Sequence, residues 1–373
     1  MKIPRYNYLA QFPDLPATAD RIRGALGSGN YILGETVTRF EERFADYLGA
    51  AHAIGVNTGT DALTLALTAL GIGPGDEVVT VANTFHATAL AIAAVGATPV
   101  LVDCEPDTYL MDLDALDAAC GPHTTAILAV HLFGRSLDMD RITAIAARHR
   151  IPVVEDCAQA VGATWGGRRV GTFGTAAAFS FHPSKNLAAA GDAGAVVTDN
   201  PEIAHTIRVL RSLGQHGQGN HIALGVNSKL DAIQAIVLDA KLDLLDGWNA
   251  QRRTLADRYT RALTHPAVTV PPPPRQDLGD HVYHLYQVAV PHRDAVLARL
   301  RSDGIDAVIR YPVPIHRQPA FARYRFDGTF PYADHQADDT LCLPIRPDLP
   351  PADVDFVAAR LNTAITDAQE ALA

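Results

Sequence analysis

Lysine is nearly absent from this chain: four of its 31 lysine and arginine residues are lysine, at positions 2, 185, 229 and 241. Arginine therefore carries most of the positive charge, and a lysine kept between apolar segments needs its own explanation. Basic runs are missing too, and a formal net charge of −10 offers no electrostatic footprint for nucleic acid. No charge-free apolar stretch reaches the length of a membrane span, so no membrane association is expected. Residues 1–8 lack the apolar core of a signal peptide, and the expected location is cytoplasmic. Cysteine is equally sparse. Cys104, Cys120, Cys157 and Cys342 are scattered without a CxxC pair, which points away from a zinc site or a disulfide framework and leaves no metal expected.

What the chain does contain is an alternation of short apolar runs and helical patterns. Runs at 53–56, 77–81, 99–102, 126–130 and 151–154 are predicted strands, with helices between them at 62–67, 84–95, 112–119 and 139–148. An earlier helix at 36–48 places Phe40, Phe44, Tyr47 and Leu48 on one face and Glu41, Glu42 and Arg43 opposite, with Gly49 as C-cap. Strands that are apolar throughout and separated by helices predict a mostly parallel sheet covered on both faces, an α/β fold. Ligands of such sheets sit beyond the carboxyl ends of the strands. Gly59, Thr60, Phe85, Asp156 and Ser180 all fall there.

Two of those places have readable chemistry. Asn57-Thr58-Gly59-Thr60-Asp61 lies between a strand and a helix, where free backbone N–H groups suit a phosphate, although simple capping by Thr58 or Thr60 would look the same. Residues 179–187 read as a buried strand followed by a turn bearing Lys185, and 191–197 as a small-residue loop leading to a second strand. A buried amine loses affinity for its proton, which fits it for Schiff-base chemistry. Two tempting motifs carry less. Gly71-Ile72-Gly73-Pro74-Gly75 follows a helix and contains proline, so it is a turn and not a dinucleotide fingerprint. His216 and His221 lie in a glycine-rich loop without carboxylate or thiolate neighbours, which favours a loop over a metal site.

Beyond residue 230 the pattern changes. Helices are predicted at 230–245 and 249–263, separated by Asp246-Gly247-Trp248, and the four prolines at 271–274 mark a linker. A strand at 285–290, a helix at 293–302, a strand at 306–309, the loop 311–316 and a helix from about residue 352 follow. The expected division is a large α/β domain over 1–245, with 1–30 as an N-terminal segment, and a small α+β domain over 246–373.

A phosphate-binding helix start, an aromatic face, a strand-end carboxylate and an amine together meet the needs of pyridoxal 5′-phosphate. The segments 29–34, 57–63, 84–89, 155–160, 180–187 and 227–235 resemble, in order, those of the DegT/DnrJ/StrS family of sugar aminotransferases over nearly the entire chain. That family has the fold type I, aspartate-aminotransferase-like architecture, with a mostly parallel mixed sheet. The resemblance implies that Lys185 forms the Schiff base and moves the proton, that Asp156 pairs with the pyridinium nitrogen, and that Phe85 stacks on the ring. It further implies that Gln159 sits near the ring hydroxyl and that Gly59, Thr60 and Ser180 hold the phosphate, joined by Asn227 from the other subunit of a homodimer. An amino-acid donor, usually L-glutamate, would leave its nitrogen as pyridoxamine 5′-phosphate, and a nucleotide-linked keto sugar would take it. Residues 227–231 and 311–316 look most like members acting on a dTDP-3-keto-6-deoxyhexose, with Tyr311, His316 and Lys229 as substrate contacts. A 4-keto sugar, a cyclitol ketone, or a non-catalytic regulator on the same fold are the alternatives. Lys229 stands where most relatives have arginine, Ala188 and Ala193 where glycine is frequent, and Arg135 where glutamine is common.

Overall fold

The computed structural model describes residues 2–274, 280–324, 326 and 328–371. In chain order its first half comprises α1 (Leu15–Ser28), α2 (Glu35–Leu48), β1 (His52–Val56), α3 (Gly59–Ala69), β2 (Glu77–Val81), α4 (His86–Ala94), β3 (Thr98–Val102), α5 (Leu113–Ala119), β4 (Thr124–Val130) and α6 (Met139–His149). Then come β5 (Val153–Asp156), the short hairpin β6 (Thr164–Trp165) and β7 (Arg168–Arg169), β8 (Ala176–Ser180), β9 (Gly194–Thr198), α7 (Pro201–Leu210), α8 (Ala232–Leu242) and α9 (Leu245–Ala262). Last are β10 (Tyr286–Ala289), α10 (Arg293–Ser302), α11 (Pro331–Asp339), β11 (Thr340–Leu343) and α12 (Pro351–Glu370).

Seven strands form one mixed sheet in the order β1-β9-β8-β5-β4-β2-β3. The pairs from β8 across to β3 are parallel, and only β9 runs against its neighbours. The carboxyl ends of β1, β2, β5 and β8 therefore share one side. The four strands in the middle of the sheet are buried along almost their whole length, as a sheet covered on both faces requires. On one face the Phe44 ring meets Phe179 and Phe181 edge-on at 5.1 and 5.2 Å, so α2 is locked onto β8 by aromatic packing.

Several expectations needed correction. Glu41 is not on a solvent face of α2: it is buried, accepts from the Gly55 N–H at 2.7 Å, and pairs with Arg211 at 2.5 Å. Asp246-Gly247-Trp248 does not separate two helices but forms the first turn of α9, where an acidic residue suits the helix dipole and glycine is tolerated. The break falls one turn earlier, at Asp243 and Leu244. The strand at 306–309 reduces to a single bridge between Val308 and Cys342, with a second isolated bridge between Ile3 and Ile305 just before it. The strand at 151–154 begins later and ends on Asp156 itself.

A second core gathers α9, α10, α12 and the β10–β11 pair around Tyr259, Tyr286, Leu300 and Leu361. Residues 213–226 form an arm closed at its base by Leu213 N–H to Val226 O at 2.9 Å, and Leu224, close to that base, is fully exposed. His221 in that arm lies 2.9 Å from the Leu213 carbonyl. Among the described residues no helix is long and apolar enough to cross a membrane.

Candidate active site

Loops leaving β1, β2, β5 and β8 enclose a cavity of about 420 Å³, large enough for a cofactor with part of a substrate. Its floor is Asp156, fixed as the last residue of β5 and buried. One carboxylate oxygen accepts from the Thr88 hydroxyl at 2.8 Å, and the other from the Ala158 N–H at 3.1 Å. Thr84 in turn lies 2.8 Å from the Thr88 hydroxyl, so the first turn of α4 braces the carboxylate. Burial pushes the Asp156 pKa up, against the pull of the Thr88 and Ala158 bonds and the Lys185 charge. No ion-pair partner for Asp156 exists among the described residues, so a cation placed beside it would relieve its burial.

Lys185 projects into the same cavity from the turn after β8. Its amine has no hydrogen-bond partner among the described residues. Burial lowers its pKa from the ordinary lysine value to about 8, with Asp156 opposing the shift and Arg310 adding to it. Opposite, α3 begins at Gly59, where Thr58 caps by accepting from the Asp61 N–H at 2.9 Å. That leaves the Gly59 and Thr60 N–H groups pointing out of the helix start with the dipole behind them. Gly59 is required here by space: a Cβ on it would meet the Ser180 Cβ at 2.5 Å. The two strand-end loops are thus pressed together into one polar cradle.

Phe85 lies at the start of α4 with 49% of its surface exposed, so one ring face is free, and its ring is 5.2 Å from that of Tyr311. Gln159 is held at both ends, its carbonyl accepting from the Phe133 N–H at 2.8 Å and its amide donating to the Tyr311 hydroxyl at 3.0 Å, which leaves one amide N–H for a ligand. Beneath the floor, Glu155 accepts from His131 at 3.0 Å and from the N–H groups of Gly171, Phe173 and Gly174 at 2.7–2.8 Å. His131, Glu155 and Cys157 cluster closely enough for a metal, but these bonds already use the Glu155 oxygens.

Of the residues singled out in the sequence, Gly59, Thr60, Phe85, Asp156, Gln159, Ser180, Lys185 and Tyr311 line this cavity. Asn227, Lys229 and His316 do not. His316 is drawn away by Asp334 at 2.9 Å and packs its ring on Phe330, which removes it from the cavity of its own chain. Asn227 is exposed, and its side chain accepts from Lys229. Arg310, His182 and His284 also line the cavity and were not anticipated. Nothing in the sequence distinguishes Arg310 from the other arginines, although it directly precedes the flagged loop; Thr88 could have been found, one helical turn after Thr84.

A desolvated lysine, a buried carboxylate awaiting a cation, a free aromatic face and a helix-start cradle fit pyridoxal phosphate and define a fold type I transferase. The chain belongs to the DegT/DnrJ/EryC1/StrS aminotransferase family, which it matches over residues 16–362. It is 43% identical to the dTDP-3-amino-3,4,6-trideoxy-alpha-D-glucose transaminase of Streptomyces venezuelae, covering 93% of this chain and 92% of that one. It is 40% identical to the UDP-2-acetamido-2-deoxy-3-oxo-D-glucuronate aminotransferase of Pseudomonas aeruginosa, covering 91% and 94%. The crystal structure of S. venezuelae DesV in complex with a ketimine intermediate superposes with a TM-score of 0.92 at 42% identity, covering 98% of both chains. Other solved neighbours are in pyridoxal and pyridoxamine phosphate forms. The protein is a pyridoxal-phosphate-dependent sugar aminotransferase.

Proposed function

We propose that this enzyme moves an amino group from L-glutamate to the C3 ketone of a dTDP-linked 6-deoxyhexose, as a cytoplasmic homodimer with two shared sites. The observation that carries the reading is the convergence of Lys185 and Asp156 in one cavity beside the Gly59–Ser180 cradle. Bound pyridoxal phosphate supplies an electron sink for a carbanion. Asp156 holds positive charge at the inner end of the cavity, because a buried carboxylate favours a paired cation. Lys185, with a pKa near the working pH, accepts and returns the proton on the reacting carbon. Thr60, Ser180 and the N–H groups at the start of α3 bind phosphate, and Phe85 and Gln159 fix the ring's plane and edge. The substrate's nucleotide and ring position rest on the S. venezuelae relative, while the P. aeruginosa relative acts on a UDP sugar.

Two experiments test this. The absorbance band of the purified holoenzyme at roughly 410–430 nm is expected to shift to shorter wavelength on addition of L-glutamate. The aminated enzyme is then offered 3-keto and 4-keto nucleotide sugars and cyclitol ketones; fastest turnover with a neutral 4-keto sugar or a cyclitol would overturn the C3 assignment, and no response to either glutamate or glutamine would favour a non-catalytic regulator. The shared site is tested by mixing subunits. Asn227 is exposed and away from its own cavity, and the arm that precedes it exposes Leu213, Ile222, Leu224 and Val226, an apolar surface for a second copy. In a heterodimer of Lys185→Ala and Asn227→Ala chains both changes fall in one site and the other is intact. Activity should return toward half of wild type; verified heterodimers without recovery would show that each chain completes its own site.

A further inference from the structure

Arg310 is the cation in this cavity that the roles above leave unused. Elsewhere the buried arginines are answered: Arg211 by Glu41 and the Gly55 carbonyl, Arg252 by the carbonyls of Tyr283 and Ile345, Arg293 by Asp294 and two carbonyls. The half-buried Arg310 guanidinium has no hydrogen bond or ion pair among the described residues. Its backbone, by contrast, is held firmly, since its carbonyl accepts from Gln287 at 3.1 Å and from Gln336 at 2.6 Å. The side chain is therefore aimed from a fixed point and left without a counter-ion. Two carboxylates share the cavity wall: Asp156, committed to Thr88 and Ala158, and Asp192, which is exposed. Lys185, His182 and His284 all have their protonated forms disfavoured by the Arg310 charge, which places its field at the reacting end of the cavity.

We infer that Arg310 receives the carboxylate of an acidic substrate. A guanidinium is always charged and presents paired N–H groups that match the two oxygens of a carboxylate. Half-buried as it is, an unanswered cation favours an anion more than one fully in water does. The cofactor phosphate already has its cradle in the proposed function, at Gly59, Thr60 and Ser180. Two groups have the right chemistry: a carboxylate of the amino-acid donor, and an acid substituent on the keto sugar. The inference rests on the aminotransferase reading.

The test uses holoenzyme of the wild type, Arg310→Gln and Arg310→Lys. Maleate, a dicarboxylate with no amine to react, is titrated by calorimetry. Binding should weaken at least tenfold in Arg310→Gln and less in Arg310→Lys. Single turnovers then compare L-glutamate with a 3-keto nucleotide sugar bearing a C6 carboxylate and its C6-methyl counterpart. A loss in the glutamate step assigns the donor carboxylate, and a loss confined to the acid sugar assigns the acceptor. Unchanged maleate binding, or an equal loss with the neutral C6-methyl sugar, overturns the inference. If Arg310→Gln fails to fold, Arg310→Lys decides the same titration. A wild type whose spectrum ignores glutamate would undercut the aminotransferase reading, while the maleate titration would still judge Arg310.

Discussion

Replacing Lys185 with alanine is expected to lower amino transfer by about four orders of magnitude, the upper range for a positioned acid–base group. The residue sits in a turn with its amine in the cavity, so the fold should survive, and Asp156 with the Gly59–Ser180 cradle should still bind pyridoxamine phosphate. Turnover and bound cofactor measured on the same sample check both halves. Retained activity would remove Lys185 from the reaction. The wild type gives a second readout through pH. Burial depresses the Lys185 pKa to about 8, so the neutral amine that captures an aldehyde becomes the main form above that pH. Cofactor uptake by the stripped enzyme should rise about tenfold per pH unit below this value and flatten above it. A rise continuing toward the ordinary lysine range would mean the amine is not desolvated.

Substituting Glu155 with alanine is expected to cost about 3–5 kcal/mol of stability, the range for breaking a buried charged pair. Four donors converge on this carboxylate: His131 and the N–H groups of Gly171, Phe173 and Gly174. Alanine would orphan all four. Glutamine keeps the shape but turns N–H groups toward donors at one end, so it should be nearly as damaging. Urea unfolding measures both, and a loss under about 1 kcal/mol would show that water replaces the carboxylate. The acid response has a definite sign. Burial raises the Glu155 pKa, but the bonds from His131, Gly171 and Gly174 outweigh it and hold the carboxyl below its ordinary range. Its contribution is then fully present above the unfolded carboxylate pKa and disappears as pH falls through the folded one, so the variants should show a flatter acid limb.

Periodicity located most of the sheet, because uniformly apolar runs bounded by turn residues leave little choice of element. The β2 and α10 spans were readable to the residue, and Gly49 was readable as a cap because its left-handed conformation suits glycine. Glu41 was misplaced for a reason no periodicity reveals: its partner Arg211 is 170 positions away in sequence. Asp246-Gly247-Trp248 looked like a break because glycine and aspartate suit turns, yet the same residues suit a helix's first turn. In the site, residues at strand ends were found because parallel sheets place ligands there. His316 was flagged from its loop, and only the fold shows Asp334 holding it elsewhere. Arg310 lay one residue before that loop and was invisible, since a missing partner is a property of three-dimensional neighbours.

The scarcity of lysine has a consequence once the four are placed. Lys241 is sealed in α8, donating to the Ala188 carbonyl at 2.8 Å and lying 4.0 Å from the Phe12 ring centre. Lys229 is tied to Asn227, and Lys2 lies exposed near the start of the chain. A molecule that must spend its working life among aldehydes and ketones thus presents few primary amines where they could condense by accident. Reductive trapping with a carbonyl reagent should mark this chain at very few addresses, with the one in the catalytic cavity foremost among them.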